Sequence, residues 1–181
     1  MQLEILSNQQ QELLPFVGQF KRNYYLVGGT AIALHIGHRR SIDFDLFTEV
    51  KLNRTRLKQK VFGLSYRKHI IFDDIDQIHF IINDVKTTFF SYLYPIKHVT
   101  MLKNIISMPT LLSLAAMKAF ALGRRAKWKD YVDLYFIMNS HFSVKDISIE
   151  AVQIFGQLFS EKLFREQLAF HEDIDYSEPI D

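Results

Sequence analysis

The 181 residues contain no cysteine. Disulfide frameworks, thiolate zinc sites and cysteine nucleophiles are therefore excluded. Neither charge is in excess: 22 Lys+Arg stand against 20 Asp+Glu, a net +2. That balance excludes a histone-like, purely electrostatic binder. No membrane-length apolar run is present, since the stretch Ile105 to Met117 is too short and too interrupted to span a bilayer. The N-terminal residues carry Glu4, Glu12 and several glutamines, which is not the pattern of a signal peptide. A soluble cytoplasmic protein without a membrane partner is expected. There is no internal repeat and no low-complexity linker. What is present is 48% hydrophobic and 23% charged residues, enough to bury a core and too apolar for disorder.

The charge is unevenly placed. Lys51, Arg54, Arg56, Lys58, Lys60, Arg67 and Lys68 follow one another with no acid between them. From Glu161 to Asp181 the net charge is −5, which leaves +7 on residues 1–160. The basic run reads first as a solvated helix face, and second as a platform for a phosphate-rich partner. The acidic tail is either a solubilising end or a segment that folds back on the basic surface.

Apolar spacing predicts a helix over 3–20, bent at Pro15. Tyr24–Val27 reads as a short strand, Gly28-Gly29-Thr30 as a turn and Ala31–Ile36 as a short helix. Ile42–Phe47 alternates, with Ile42, Phe44 and Leu46 facing one way and Asp43, Asp45 and Phe47 the other. Arg54–Phe62 suits a helix. Lys68–Phe72, Gln77–Ile82 and Lys86–Tyr92 suit strands, with turns at Asp73–Asp76 and Asn83-Asp84. After Pro95 helices are expected at Thr110–Leu122, Lys127–Asn139, Val144–Phe155 and Glu161–Phe170. The fold class is α+β (mixed α/β), with a sheet-bearing core over 1–97 and a helical region over 98–181 packed on it as one unit.

Chemistry concentrates in Tyr24-Tyr25-Leu26-Val27-Gly28-Gly29-Thr30-Ala31 followed by Ser41-Ile42-Asp43-Phe44-Asp45. Two glycines between a strand and a helix let backbone approach a ligand closely. The helix start beyond them offers N–H groups to phosphate, and Thr30 adds a hydroxyl. Asp43 and Asp45, two apart on a strand, share a face and can hold a divalent cation that in turn holds a nucleoside triphosphate. A phosphate cradle beside metal carboxylates describes nucleotidyl transfer better than hydrolysis by a nucleophilic side chain.

Two further places stand out. Between Leu111 and Leu122 only Ser113 and Lys118 are polar, so Lys118 must snorkel, pair or face a cleft. Asp130 and Asp133 share a helix face, next to an apolar stripe of Trp128, Tyr131, Tyr135 and Met138. Local pairing of Lys127 with Asp130 and of Lys129 with Asp133 would account for both acids without catalysis.

Residues Gly28–Leu34 and Gly37–Phe47 together resemble the AbiEii/AbiGii-type toxin nucleotidyltransferases of the minimal nucleotidyltransferase, polymerase-beta-like superfamily. The likeness extends to Lys118, to Arg124–Asp133 and loosely to the acidic tail. It implies a triphosphate on Gly28, Gly29 and Thr30, with Arg39, Ser41 and Lys118 as further nucleotide contacts. It implies Mg2+ (or Mn2+) on Asp43 and Asp45, and supporting roles for Lys118 and Asp130. The expected reaction transfers NMP from an NTP to an acceptor hydroxyl: RNA, with the tRNA 3′ end by analogy, while a protein or small-molecule hydroxyl stays open. The family also suggests a separately encoded antitoxin.

One position departs from the resemblance. A third carboxylate is expected on a later central strand, and Val85-Lys86-Thr87-Thr88-Phe89-Phe90 places Thr88 there. The alternative is therefore a nucleotide-binding or regulatory module with a decayed active site. His35 and His38 flank the turn without zinc spacing; His38, with Arg39 and Arg40, is a candidate phosphate contact, and His35 is assigned to packing. His141 and His171 show no usable arrangement, and the many Tyr and Phe residues are assigned to the core rather than to base stacking.

Overall fold

A computed structural model describes residues 1–170, 172 and 174–177; the His171 assignment lies outside them. Alternation builds the centre of the sheet. In β2 (Phe44–Thr48), Phe44, Leu46 and Thr48 are buried on one face, while Asp45 and Phe47 stand half-buried on the other. The same period-two pattern runs through β4 (Gln77–Ile82), where Ile78, Phe80 and Ile82 are buried and Gln77 and His79 face the opposite side.

The remaining strands are β1 (Tyr25–Val27), β3 (Lys68–Asp73), β5 (Val85–Ser91), β6 (Thr100–Leu102) and β7 (Ile106–Met108). All seven form one mixed sheet in the order β3-β4-β5-β2-β1-β7-β6. β2 runs antiparallel to β1 and parallel to β5, with Asp45 opposite both Val27 and Thr88. β5 runs antiparallel to β4, with Thr88 opposite His79.

Among the described residues the α-helices are α1 (Asn8–Val17), α2 (Gly28–Ile36), α3 (Arg54–Phe62), α4 (Leu111–Leu122), α5 (Trp128–Ser140), α6 (Val144–Phe155) and α7 (Glu161–Ala169). α1 starts on a capping box, Ser7 with Gln10, and contains Pro15. The 3-10 turn after it sets Phe20 against Phe89, ring centroids 4.8 Å apart, beneath the sheet. α4 is capped by Thr110 and packs against α2, α5, α6 and α7. The Phe120 and Phe155 rings stack at 3.8 Å between α4 and α6. No helix of the described residues is long and apolar enough to cross a membrane.

Three expectations are amended. The single N-terminal helix is broken into a 3-10 turn at Leu3–Ile5, α1 and a second 3-10 turn. The turn at Gly28–Thr30 is the first turn of α2 itself. The region after Pro95 is not purely helical, because β6 and β7 extend the sheet past residue 97 through β1–β7 pairing. Their hairpin turns on Lys103-Asn104, both at positive φ, as Asn83-Asp84 does between β4 and β5. Of the tail, the described residues Asp175 and Tyr176 meet the body: Asp175 pairs with Lys127 as an isolated bridge, and the Tyr176 ring lies 5.3 Å from the Trp128 ring.

Candidate active site

A cleft of about 680 Å³ opens over the polar face of the sheet, floored by Gly28, Gly29, Asp45, Thr88, His79 and Lys86. Across from them α4 and the segment after it contribute Met117, Lys118, Phe120, Arg124 and Arg125.

The floor is shaped by the absence of side chains. Gly28 has φ +74°, and a Cβ on it would lie 2.2 Å from Asp45 Oδ2. The Asp45 carboxylate therefore rests against bare backbone at the strand-to-helix junction. A Cβ on Gly29 would lie 2.3 Å from an Arg39 guanidinium nitrogen and 3.1 Å from Ser41 Oγ. Both glycines are fixed by close approach.

Thr30 is buried, and its hydroxyl turns inward. It donates to the Asp43 carbonyl and lies 2.9 Å from Ser41 Oγ. The fully buried Gln10 amide donates to the Ser41 carbonyl at 2.9 Å and the Asp43 carbonyl at 3.4 Å. Thr30 and Gln10 thus fix the backbone that carries both acids. The expected phosphate contact from the Thr30 hydroxyl is replaced by this positioning. Asp43 lies just before β2, next to Ile42, which is exposed rather than turned into the core.

Arg39 and Asp133 are both buried and pair through two bonds: Arg39 Nε to Oδ1 at 2.7 Å and the terminal nitrogen to Oδ2 at 3.1 Å. His38 Nε2 lies 2.7 Å from the same Oδ1, and Lys118 Nζ lies 2.9 Å from Oδ2. Lys118 also pairs with Asp130, whose other oxygen accepts from Arg125 Nε at 3.1 Å. Arg39 is thus engaged beneath Gly29 with a carboxylate and does not present its guanidinium to the cleft. Asp130 and Asp133 do not line the cleft; they hold Lys118, which does.

The electrostatics follow from this arrangement. Burial would push the Asp133 carboxyl up, but Lys118, His38 and Arg39 together hold it well below the usual carboxylate range. Burial would lower the Lys118 pKa, but Asp133 and Asp130 outweigh it, so the ammonium stays charged at the cleft wall.

Thr88 occupies the place anticipated from the sequence, directly beside Asp45. No cluster of three His, Cys, Asp or Glu side chains that could hold a metal occurs among the described residues. Two carboxylates suit Mg2+ only when other oxygens, such as substrate phosphates, complete the shell. The aromatic residues assigned to the core include Phe47, Phe90, Tyr92, Tyr94 and Phe120, which line the cleft. The cleft residues missed in the sequence are His79, Gln77 and Lys86; strand register brings His79 beside Thr88, and local spacing gives no sign of it. The basic run is partly self-neutralised: Arg54 and Lys58 pair with Asp73, and Arg67 pairs with Asp84.

No family model matches the chain. Among solved structures it resembles a Helicobacter pylori protein described as a candidate nucleotidyltransferase, with 19% identity, a TM-score of 0.58, and 90% of this chain and 91% of that one covered. It also resembles MenT4, a nucleotidyltransferase toxin of Mycobacterium tuberculosis, with 14% identity, a TM-score of 0.60, and 91% and 72% covered. In sequence it is 32% identical over 142 residues to the uncharacterized protein aq_aa25 of Aquifex aeolicus, spanning 75% of this chain and 68% of that one. The chain therefore has the nucleotidyltransferase fold and belongs to the same family as aq_aa25.

Proposed function

We propose that this protein is a Mg2+-dependent nucleotidyltransferase of the AbiEii/AbiGii toxin type, transferring NMP from an NTP to a hydroxyl of an RNA acceptor. One observation carries the reading: the Asp45 carboxylate lies against the bare Gly28 backbone on the floor of a 680 Å³ cleft. A carboxylate and a side-chain-free backbone at one point suit a cation and the phosphates it carries.

The residues fit a divalent cation. Asp45 on the cleft floor would hold it through a hard carboxylate oxygen, with Asp43, two residues before it and outside the cleft lining, as the second ligand; triphosphate oxygens would complete the shell. When bound, the ion supplies charge neutralisation on the phosphates and orients them.

The chain's own residues do the rest. Gly28 and Gly29 let the triphosphate lie close to the start of α2. Thr30 and Gln10 hold the loop that carries the acids. Lys118, kept protonated by Asp130 and Asp133, presents positive charge from the opposite wall, with Arg124 and Arg125 beside it. The acceptor oxygen attacks the α-phosphorus, the bond to the bridging oxygen breaks, and pyrophosphate leaves. The net +7 of residues 1–160 favours a polyanionic acceptor such as RNA, with the tRNA 3′ end by analogy. MenT4, which shares the fold, is described as a nucleotidyltransferase toxin, in keeping with the toxin reading; a cognate antitoxin and a cytoplasmic site of action belong to the same proposal.

The test incubates purified protein with Mg2+, each labelled NTP and total RNA, beside Asp43→Asn/Asp45→Asn. Label in a discrete RNA band that the double variant does not produce is the expected result. Thr88 beside Asp45 supports a second reading, a decayed module that binds nucleotide without turnover. Mg-NTP binding with no label transferred to RNA, protein or small molecules would favour it.

A further inference from the structure

Hydroxyl attack on phosphorus releases a proton, and the cleft offers few groups to take it. Asp43 and Asp45 are assigned to the cation. Lys118 is held protonated by its two carboxylates. Burial pushes the Tyr92 phenol far above the neutral range, so it is no base either. Thr88, next to Asp45, has no basic atom. One imidazole remains.

His79 lies on the same face as Asp45 and Thr88. Thr88 is opposite Asp45 across β5–β2 and opposite His79 across β5–β4, so the three form a row perpendicular to the strands. Directly opposed residues in paired strands share a face. At about 4.8 Å per strand the row places the His79 backbone roughly 10 Å from that of Asp45. That interval can hold a phosphoryl group and an attacking oxygen.

His79 lines the cleft, and a neighbouring side chain holds its ring. His79 Nε2 lies 3.0 Å from Gln77 Oε1, an oxygen that can only accept, so Nε2 carries the proton and Nδ1 keeps its lone pair. Nδ1 has no hydrogen-bond partner among the described residues. A base whose second nitrogen is fixed by another side chain is the general arrangement for proton abstraction by histidine. Each packed element adds to the ring's environment: Phe72 of β3 at 5.1 Å, Lys86 of β5, Asp45 of β2 and Gln77 of its own strand. Burial and the Lys86 charge lower its pKa, Asp45 opposes them, and the net shift keeps the ring neutral at pH 7.

We propose that His79 is the general base of the transfer reaction, accepting the acceptor hydroxyl's proton on Nδ1 with Gln77 fixing the ring. This deepens the transferase reading and rests on it. In the step, the acceptor O–H proton passes to Nδ1 as the new O–P bond forms. The bond from the α-phosphorus to its bridging oxygen breaks, and pyrophosphate departs with the electron pair. The imidazolium then releases its proton to water.

The test uses the full chain with Mg2+ and the RNA acceptor, comparing wild type, Asp45→Asn, His79→Gln and His79→Ala. Single-turnover transfer should fall about 10²–10⁴-fold in both His79 variants, with Mg-NTP affinity unchanged. The acidic limb of the wild-type rate profile should vanish in His79→Gln, and added imidazole should restore His79→Ala. Transfer by His79→Gln near the wild-type rate with the acidic limb intact would overturn the proposal, and the loss in Asp45→Asn would still support the transferase reading. A drop in rate with no rescue and an unchanged profile would assign His79 a structural part and likewise overturn it. If the wild type transfers nothing to any acceptor, the transferase reading and the role of His79 fall together.

Discussion

Gly28 and Asp45 are in contact where the first strand turns into the second helix: a Cβ at position 28 would lie 2.2 Å from Asp45 Oδ2. The φ of +74° also disfavours any L side chain there. Gly28→Ala should therefore displace the carboxylate and lose most cation-dependent binding of NTP. The variant should still fold, with a loss of about 1–3 kcal/mol from backbone strain. Titration calorimetry with Mg-NTP beside a thermal melt separates the two effects.

Asp133 receives His38, Arg39 and Lys118 in one fully buried carboxylate. Removing it would leave the Arg39 guanidinium buried without a carboxylate and Lys118 with Asp130 alone. Breaking a buried pair in this way costs about 3–5 kcal/mol. For a chain of this size that corresponds to a fall of roughly 6–20 °C in Tm. Asp133→Ala should show that loss by calorimetry. Lys129→Ala, which tests the local pairing suggested by spacing, should change Tm by far less, since a surface helical pair contributes about 0.3–0.5 kcal/mol.

The contrast between Asp133 and the central strands shows what was legible in the sequence. The alternation of Phe44 and Leu46 against Asp45 and Phe47 is a local signal that marks β2 and its polar face, although the expected strand, Ile42–Phe47, begins two residues early at an exposed Ile42 and stops short of Thr48. Helices α3 and α6 match their expected bounds for the same reason. β6 and β7 escaped because three residues are too few to alternate; the signal was the Lys103-Asn104 pair between two short, largely apolar segments, Thr100–Leu102 and Ile106–Met108. Arg39 and Asp133 lie 94 positions apart, and no spacing rule links them. Local pairing was the available reading for Asp133, and tertiary geometry supplied a different one. His79 was overlooked on the same ground, because only strand register sets it beside Thr88.

His35 gives the protein an acid-sensitive contact. Its Nε2 lies 3.1 Å from the Pro109 carbonyl and donates to it. Burial lowers its pKa, the carbonyl opposes the shift, and the N-terminal charge adds to it. The folded value lies below the ordinary 6.5 or so, which the unfolded chain keeps. Above pH 6.5 both states are neutral at this position and its contribution is complete. As pH falls from there towards the folded value, the unfolded chain binds the proton first and stability is lost. Wild-type Tm should drop between pH 7 and 5, and the slope should be shallower in His35→Gln. Equal slopes in the two proteins would remove His35 as the cause.

Thr88→Asp tests the meaning of the missing acid. Its side chain would stand directly opposite Asp45 in the parallel pair, in a nearly buried position. Like charges so placed repel, so without a divalent cation the variant should be less stable than wild type by about 1 kcal/mol or more. That is roughly 2–4 °C in Tm. Millimolar Mg2+ should reverse the loss, because a ligand that binds only the folded state stabilises it as RT ln(1 + [L]/Kd). The wild type, with two acids, should respond less to the cation alone and fully only when NTP oxygens are supplied as well. A variant whose Tm ignores Mg2+ would mean that the carboxylates of Asp45 and position 88 do not converge on one ion. The two-acid arrangement would then be a different site from the one the register implies.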